Sequence, residues 1–92
     1  MAGRIESYIH SDSITMNKGG AIAKIISQTD FASRTPQFIE FAKLVAKMAY
    51  AADSDRYSVV VDLFPIIEAS RKELMIELRE NVIVDEIKIL KI

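Results

Sequence analysis

The residues best suited to binding or chemistry lie in one short stretch, residues 29–34, which contains an acid (Asp30), a large aromatic (Phe31) and a base (Arg34). A strand-like run precedes it and a helix-like run follows, and loops held between such elements commonly carry function. These side chains could bind a partner through an aromatic anchor flanked by charges. Alternatively, Phe31 could close the core, as loop aromatics often do, with both charges solvated.

Chemistry that depends on histidine, cysteine or paired carboxylates has little support. The 92 residues include one histidine, His10, and no cysteine. We therefore expect no disulfide, no metal centre and no histidine-activated nucleophile. Gly19 and Gly20 lack the spacing of a phosphate-binding loop, and we interpret them as a turn. The sequence favours a binding module without a cofactor over an enzyme.

Length and composition predict one folded domain over residues 1–92. Half of the residues are hydrophobic, and 12 basic residues nearly balance 13 acidic ones. This balance argues against direct binding of nucleic acid, which requires an excess of positive charge. No apolar run approaches the length of a membrane span, and no targeting segment is visible. We expect a cytoplasmic protein that does not bind membranes.

The first part of the chain predicts two antiparallel strands. Residues 4–10 alternate in character, with Ile5 and Ile9 on one face, which is typical of a strand. Turn-forming residues fill the connection over residues 11–20. An apolar run over residues 21–28 forms the second strand.

A helix follows residues 29–34. Thr35 and Pro36 are the residue types favoured at the N-cap and at the first helical position. Apolar residues then recur at spacings of three and four, which predicts one buried stripe. The stripe consists of Phe38, Phe41, Ala42, Val45, Met48, Ala49 and Ala52. We expect the helix to end near Ala52 and Asp53.

The next segment leaves two alternatives open. Residues 55–64 fit an extended segment because they are rich in β-branched valines, and they equally fit a short helix. Pro65 limits either choice and opens a second helix over about residues 66–79. Asn81 is a candidate terminator of that helix.

The chain ends in a third strand formed by residues 82–84 and 87–90. The adjacent acids Asp85 and Glu86 interrupt it, which indicates a β-bulge or an exposed edge. The predicted order is β-β-α-α-β. We therefore predict an α+β fold, a three-stranded antiparallel sheet with helices packed on one face.

The run from Gly20 to Arg34 resembles the signature of the elongation factor Ts family, in which a glycine and an apolar strand lead to Thr-Asp-Phe-Val and an arginine. Residues 7–10 are similar to the end of that family's first strand. Residues 80–84, Glu-Asn-Val-Ile-Val, are similar to its Glu-Asn-Ile strand entry. The resemblance implies a single core subdomain, without the family's amino-terminal helical module and second core subdomain.

The resemblance also implies a function. Elongation factor Ts binds the GTPase elongation factor Tu and promotes release of GDP by distorting the site that holds magnesium and phosphate. Phe31 would be the wedge, Asp30 the acid near the magnesium, and Arg34 a brace or rim contact. The implied partner-binding residues are Thr29, Asp30, Phe31, Ala32 and Arg34.

The sequence departs from the family pattern at several positions, and two alternative functions stay open. Gln28 replaces the family's usual glutamate, and Ala32 replaces its usual valine. The chain could instead dock on elongation factor Tu without exchanging nucleotide, or it could be a small structural or oligomerisation domain. Because an isolated three-stranded sheet has unpaired edges, we also expect a symmetric homodimer in which residues 87–92 pair with a second copy.

Overall fold

The computed structural model describes residues 2–92, so Met1 of the predicted domain lies outside the described residues. The elements in chain order are β1 (Ala2–His10), β2 (Gly19–Ser27), α1 (Asp30–Ser33), α2 (Pro36–Ala52), α3 (Tyr57–Leu63), α4 (Ile66–Leu78) and β3 (Ile83–Lys91). β2 lies between β1 and β3 and is antiparallel to both. The predicted α+β fold with a three-stranded antiparallel sheet is confirmed.

Two short helices are added to the predicted order. α1 occupies residues 30–33, which the sequence placed in a loop, and α3 resolves the ambiguity over residues 55–64 in favour of a helix. Val60 of α3 is fully buried in the core. The Tyr57 hydroxyl donates a hydrogen bond to Glu68 of α4 at 3.3 Å. These tertiary contacts decide against the extended conformation that the valines favour locally.

α2 is the main helix covering the sheet, and it packs against β1 and β2. Its start is as predicted, because the Thr35 hydroxyl accepts a hydrogen bond from the backbone N–H of Phe38 at 3.3 Å. Its end is also as predicted, since Asp53 forms the C-cap in the left-handed region with φ of 53°. Small alanine side chains in α2 and β2 let the helix approach the sheet closely. The buried alanines are Ala21, Ala23, Ala42, Ala46 and Ala49.

β1 turns its isoleucine face away from the helices. Ile5 is 62% exposed and Ile9 is 59% exposed. Tyr8, on the opposite face, packs against Tyr50 of α2 with the ring centroids 5.7 Å apart, and its hydroxyl is hydrogen-bonded to His10 Nδ1 at 2.9 Å. Alternation shows which residues share a face, whereas the fit of Tyr8 beneath α2 determines which face is covered.

The face of the sheet that lies opposite the helices carries several exposed isoleucines and a leucine. We call it the open sheet face. Its exposed large apolar residues are Ile5, Ile9, Ile22, Ile83 and Leu90. No helix of the described residues 2–92 is long and apolar enough to cross a membrane.

Two predictions at the ends of elements are wrong, the turn at Gly19 and Gly20 and the helix terminator Asn81, whereas the predicted range of the second helix, about residues 66–79, agrees with α4. Gly19 and Gly20 begin β2 and pair with both neighbouring strands, so they do not form a turn. A Cβ atom at Gly19 would lie only 2.9 Å from the Tyr50 hydroxyl, so the absence of a side chain admits this contact. Arg79, with φ of 56°, ends α4 in the left-handed region, two residues before the predicted terminator Asn81.

The interruption in the last strand is a β-bulge, one of the two predicted alternatives. Lys24 of β2 pairs with Glu86, but its neighbour Ile25 pairs with Val84, so Asp85 is the extra residue of β3. The Lys24 ammonium lies 3.1 Å from the Asp85 carboxylate. The bulge therefore keeps β3 continuous over Ile83–Lys91.

Candidate functional site

Residues 29–34, which we call the tip, lie between the end of β2 and the start of α2. Thr29 has an extended backbone and is the N-cap of the single-turn helix α1, because its hydroxyl oxygen accepts a hydrogen bond from the Ala32 N–H at 3.2 Å. The backbone N–H of Arg34 donates to the Phe31 carbonyl at 3.2 Å. The tip is therefore a hydrogen-bonded turn with a defined conformation.

Phe31 points away from the core and is 79% exposed. Its neighbours Ala32 and Ser33 are buried instead, with Ala32 only 1% exposed. The alternative in which Phe31 closes the core is therefore wrong. An isolated aromatic exposed to this extent on an ordered turn is the kind of side chain that anchors a protein interface.

Three hydroxyl side chains fix the backbone of the tip, two from the flanking residues Ser27 and Thr35 and one, Ser33, from within the tip. Ser27 Oγ donates to the Thr29 carbonyl at 2.8 Å, Ser33 Oγ donates to the Asp30 carbonyl at 3.0 Å, and Thr35 Oγ1 donates to the Ala32 carbonyl at 2.8 Å. Ser27 and Ser33 are buried. These bonds hold the carbonyl groups of the turn in place and restrict the direction in which Phe31 projects.

The predicted site residues are neighbours in space, but they are not equivalent. Asp30 and Arg34 are exposed, and within residues 2–92 neither forms an ion pair, so both charges are accessible to a partner. Thr29 is the cap. The buried side chain of Ala32 anchors the tip and has no surface with which to contact a partner.

Glu80 is the residue that sequence reasoning did not assign to the site. It lies in the connection between α4 and β3, and its Oε1 accepts hydrogen bonds from the backbone N–H groups of Gln28 and Thr29, each at 3.0 Å. Its Oε2 accepts a third from the Thr29 hydroxyl. These bonds favour the carboxylate and lower the pKa of Glu80, with the Thr29 hydroxyl as the largest cause.

A second contact joins the same two segments in the opposite direction. The side-chain carbonyl of Gln28 accepts a hydrogen bond from the Asn81 N–H at 2.8 Å. Gln28 is the position at which the sequence departs from the family's usual glutamate, and here its amide supplies the acceptor. The only signal for this pairing in the sequence was the separate resemblance of residues 80–84 to a family strand entry.

Comparison with curated proteins identifies one family. The chain is 34% identical over 70 residues to mitochondrial elongation factor Ts 2 of Paramecium tetraurelia, a match covering 76% of this chain and 23% of the relative. It is 32% identical over 71 residues to elongation factor Ts of Neisseria meningitidis, covering 77% and 24%. For Alkaliphilus oremlandii elongation factor Ts, the identity is 34% over 73 residues, covering 79% and 31%.

The chain belongs to the elongation factor Ts family. It spans about a quarter of the length of the first two of these relatives. No family model matches it. The membership agrees with the sequence resemblance. The Thr-Asp-Phe residues of that resemblance lie in the tip.

Proposed function

We propose that this chain binds elongation factor Tu through the tip and promotes release of its bound GDP, as a factor in translation elongation. The observation that carries the proposal is the exposure of Phe31 on a turn whose backbone is fixed by hydrogen bonds. We also propose that the described residues correspond to one core subdomain of the elongation factor Ts family.

An exposed aromatic on an ordered turn suits insertion between elements of a partner. Such a side chain loses little conformational entropy on binding, and a buried aromatic anchor contributes roughly 2–4 kcal/mol to an interface. The adjacent Asp30 carboxylate is exposed and would face the partner together with Phe31. Arg34, at the other end of the turn, would contact the rim of the interface.

Exchange requires no covalent chemistry by this chain. Nucleotide affinity in a GTPase depends on positioned phosphate-binding groups and on the magnesium between them. A protein that binds the nucleotide-free form more tightly than the GDP-bound form must, by thermodynamic linkage, weaken GDP binding by the same factor. Phe31 would supply this difference in affinity if it inserts into a space in elongation factor Tu that opens only when the magnesium site is distorted.

The test is a pair of measurements on purified bacterial elongation factor Tu. Binding is measured by capture on the immobilised chain, and exchange is measured by the release of fluorescent GDP when excess unlabelled GDP is added. Our proposal requires both capture and faster release. Capture with an unchanged release rate would replace the proposal with docking alone, and absence of capture would refute both.

We further propose that the chain forms a homodimer. The apolar side chains of the open sheet face support this proposal, since exposed apolar patches of this kind usually mark a contact surface. The outer edges of β1 and β3, which each pair with only one strand, offer the other surface for self-association.

A further inference from the structure

We infer that Glu80 is a positioning residue for the tip: from a different part of the chain it holds the turn in the conformation that presents Phe31. This inference rests on the proposed function, because it concerns how the tip reaches a partner. Glu80 would not itself contact the partner. It would act through Thr29 and α1.

The sheet brings Glu80 to the tip. Ile26 near the end of β2 pairs with Ile83 at the start of β3, so the segments that precede β3 and follow β2 meet at one end of the sheet. Arg79 adopts left-handed backbone angles, φ of 56° and ψ of 37°, and so redirects the chain as α4 ends. The next residue is Glu80, whose carboxylate reaches the backbone of Gln28 and Thr29, more than fifty residues away in sequence.

The hydrogen bonds form a connected chain from the carboxylate to α1. Thr29 has one hydroxyl proton, and it is donated to Glu80. The oxygen lone pairs of the same hydroxyl then remain to accept the Ala32 N–H. Glu80 therefore fixes the orientation of the side chain that caps α1, and hydrogen bonds in such chains strengthen one another.

A single-turn helix needs this support. Helix nucleation is unfavourable, and a turn of four residues, Asp30–Ser33, is far too short to be stable on its own. Ala32 is held by its burial, but Phe31 has no comparable contact with the core because it is mostly exposed. The direction of Phe31 is therefore set by the backbone of the turn, and Glu80 holds that backbone at its first residues.

The first experiment needs no partner. Backbone amide exchange is measured by NMR in the wild-type chain, in Glu80→Ala and in a matched control, Glu77→Ala, which truncates an exposed glutamate in the last turn of α4. In Glu80→Ala, we expect the Gln28, Thr29 and Ala32 amides to exchange about tenfold faster, because they lose charge-assisted hydrogen bonds or the cap that depends on them. The amide of Ala46 in the centre of α2 reports global stability and should not change in the control.

The second experiment separates positioning from general stability. Affinity for elongation factor Tu bound to GDP is measured for Glu80→Ala, for Phe31→Leu and for the double variant. We expect Glu80→Ala alone to weaken binding by about tenfold. In the Phe31→Leu background its effect should be much smaller, because contacts that act through one side chain are not additive.

The conservative variant Glu80→Gln adds a further check. Its side-chain oxygen can still accept the two backbone N–H groups, but its charge is lost and its NH₂ cannot accept the Thr29 hydroxyl proton. We expect it to restore part of the lost affinity, so that binding falls by about threefold. A role of Glu80 in stability alone would not produce this graded effect together with coupling to Phe31.

The outcomes distinguish failure of this inference from failure of the proposed function. Unchanged exchange of the Gln28 and Thr29 amides in Glu80→Ala would refute the positioning role, whatever the affinity. Faster exchange with unchanged affinity, or equal effects of Glu80→Ala in both backgrounds, would also refute it. If the wild-type chain does not bind elongation factor Tu, the proposed function fails, and with it the role of Glu80 in presenting Phe31 to that partner.

Discussion

At the scale of single residues, substitution of Phe31 tests whether this exposed side chain binds a partner or stabilises the fold. We expect Phe31→Ala to weaken binding to elongation factor Tu by about 30-fold or more, because a central aromatic anchor is removed. The free energy of unfolding should change by less than about 0.5 kcal/mol, since the side chain is mostly exposed. Titration calorimetry gives the first value and urea denaturation the second.

The matched control for Phe31→Ala is Ile76→Ala in α4, which removes an apolar side chain of similar exposure, 77%, on another surface. It should leave binding unchanged. Loss of stability in Phe31→Ala without a separate binding defect would show that Phe31 is structural. Equal binding defects in the two variants would show that the contact is non-specific.

Asp30 should affect exchange more than docking. Asp30→Asn keeps the shape of the side chain and removes its charge, so the aromatic contact is preserved while the electrostatic effect on the magnesium site is lost. We expect the affinity to change by less than about twofold and GDP release to slow by about tenfold. Stopped-flow release of fluorescent GDP tests this, and equal loss of affinity and release rate, or no loss of either, would remove Asp30 from the exchange mechanism.

The residues of the tip could be predicted from the sequence, but the contact of Glu80 that supports the tip could not. Asp30, Phe31 and Arg34 are adjacent in the chain, so their types and spacing were visible. Glu80 contacts Thr29 only because β2 and β3 are antiparallel neighbours. The two residues are 51 positions apart in the sequence, and no local pattern predicts a contact between them. The outward direction of Phe31 likewise depends on the burial of Ala32 and on hydrogen bonds that form only in the folded chain.

At the scale of elements, α3 shows where local preference is overruled. Its valines favour an extended strand, yet α3 is held as a helix by buried Val60 and by contacts with α4. We call the contact between α3 and α4 the junction. Arg71 of α4 completes it, since its guanidinium pairs with Glu68 and donates a hydrogen bond to the Val82 carbonyl at 2.7 Å. Periodicity predicted α2 correctly because its apolar stripe is long and its caps are local. The shorter α3 depends on partners distant in sequence.

The junction predicts an unusual ionisation of Tyr57. Burial and the neighbouring Glu68 carboxylate raise the pKa of the Tyr57 hydroxyl to about 12 from 10.0. Because the folded-state pKa is the higher one, the stabilisation from the protonated phenol is complete below pH 10 and is lost as the pH rises through about 12. Ultraviolet difference titration of the wild-type chain against Tyr57→Phe measures this ionisation directly.

At pH 11 we expect the difference spectrum to show little tyrosinate from Tyr57, whereas in urea the same residue should be largely ionised, because the burial of the phenol and its contact with Glu68 are both lost on unfolding. A titration midpoint near 10 in the folded chain would contradict the contact between α3 and α4. Lys72→Ala on exposed α4 surface serves as the control, since it removes a charge without removing a junction hydrogen bond.

At the scale of the whole molecule, the fold has one covered face and one open face. The helices bury the alanine-rich side of the sheet, and the open sheet face retains Ile5, Ile9 and Ile22. The sequence predicted helices on one face of the sheet. It did not predict that the isoleucines of β1 would lie on the other face, because alternation in β1 is equally consistent with either face being covered. The predicted homodimer through residues 87–92 used only a strand edge, whereas the open sheet face provides a second and more apolar surface.

The register of the strands shows how two copies could meet through this face. Glu86 and Lys88 flank Ile87 on β3, and the residues paired with them on β2 are Lys24 and Ile22. The pairs Lys24–Glu86 and Ile22–Lys88 form two rows across the sheet. If the open faces of two copies pack together about a two-fold axis that runs across the strands between these rows, Glu86 of one copy lies against Lys88 of the other. The same axis would also set Ile22 against Lys24, so a lysine at position 22 would place like charges together. The sheet is small, so the dimer should be weak and depend on concentration.

We therefore expect the wild-type chain to exceed its monomer mass of 10.3 kDa in light scattering as its concentration rises through the micromolar range. Ile22→Lys should restore the monomer at every concentration, because it places a lysine against Lys24 of the other copy and removes an apolar side chain from the contact. Ile76→Lys, which places the same charge on exposed α4, should leave the dimer intact. Dimerisation that survives Ile22→Lys would instead indicate pairing along a strand edge, and a wild-type mass of 10.3 kDa at all concentrations would rule out both arrangements.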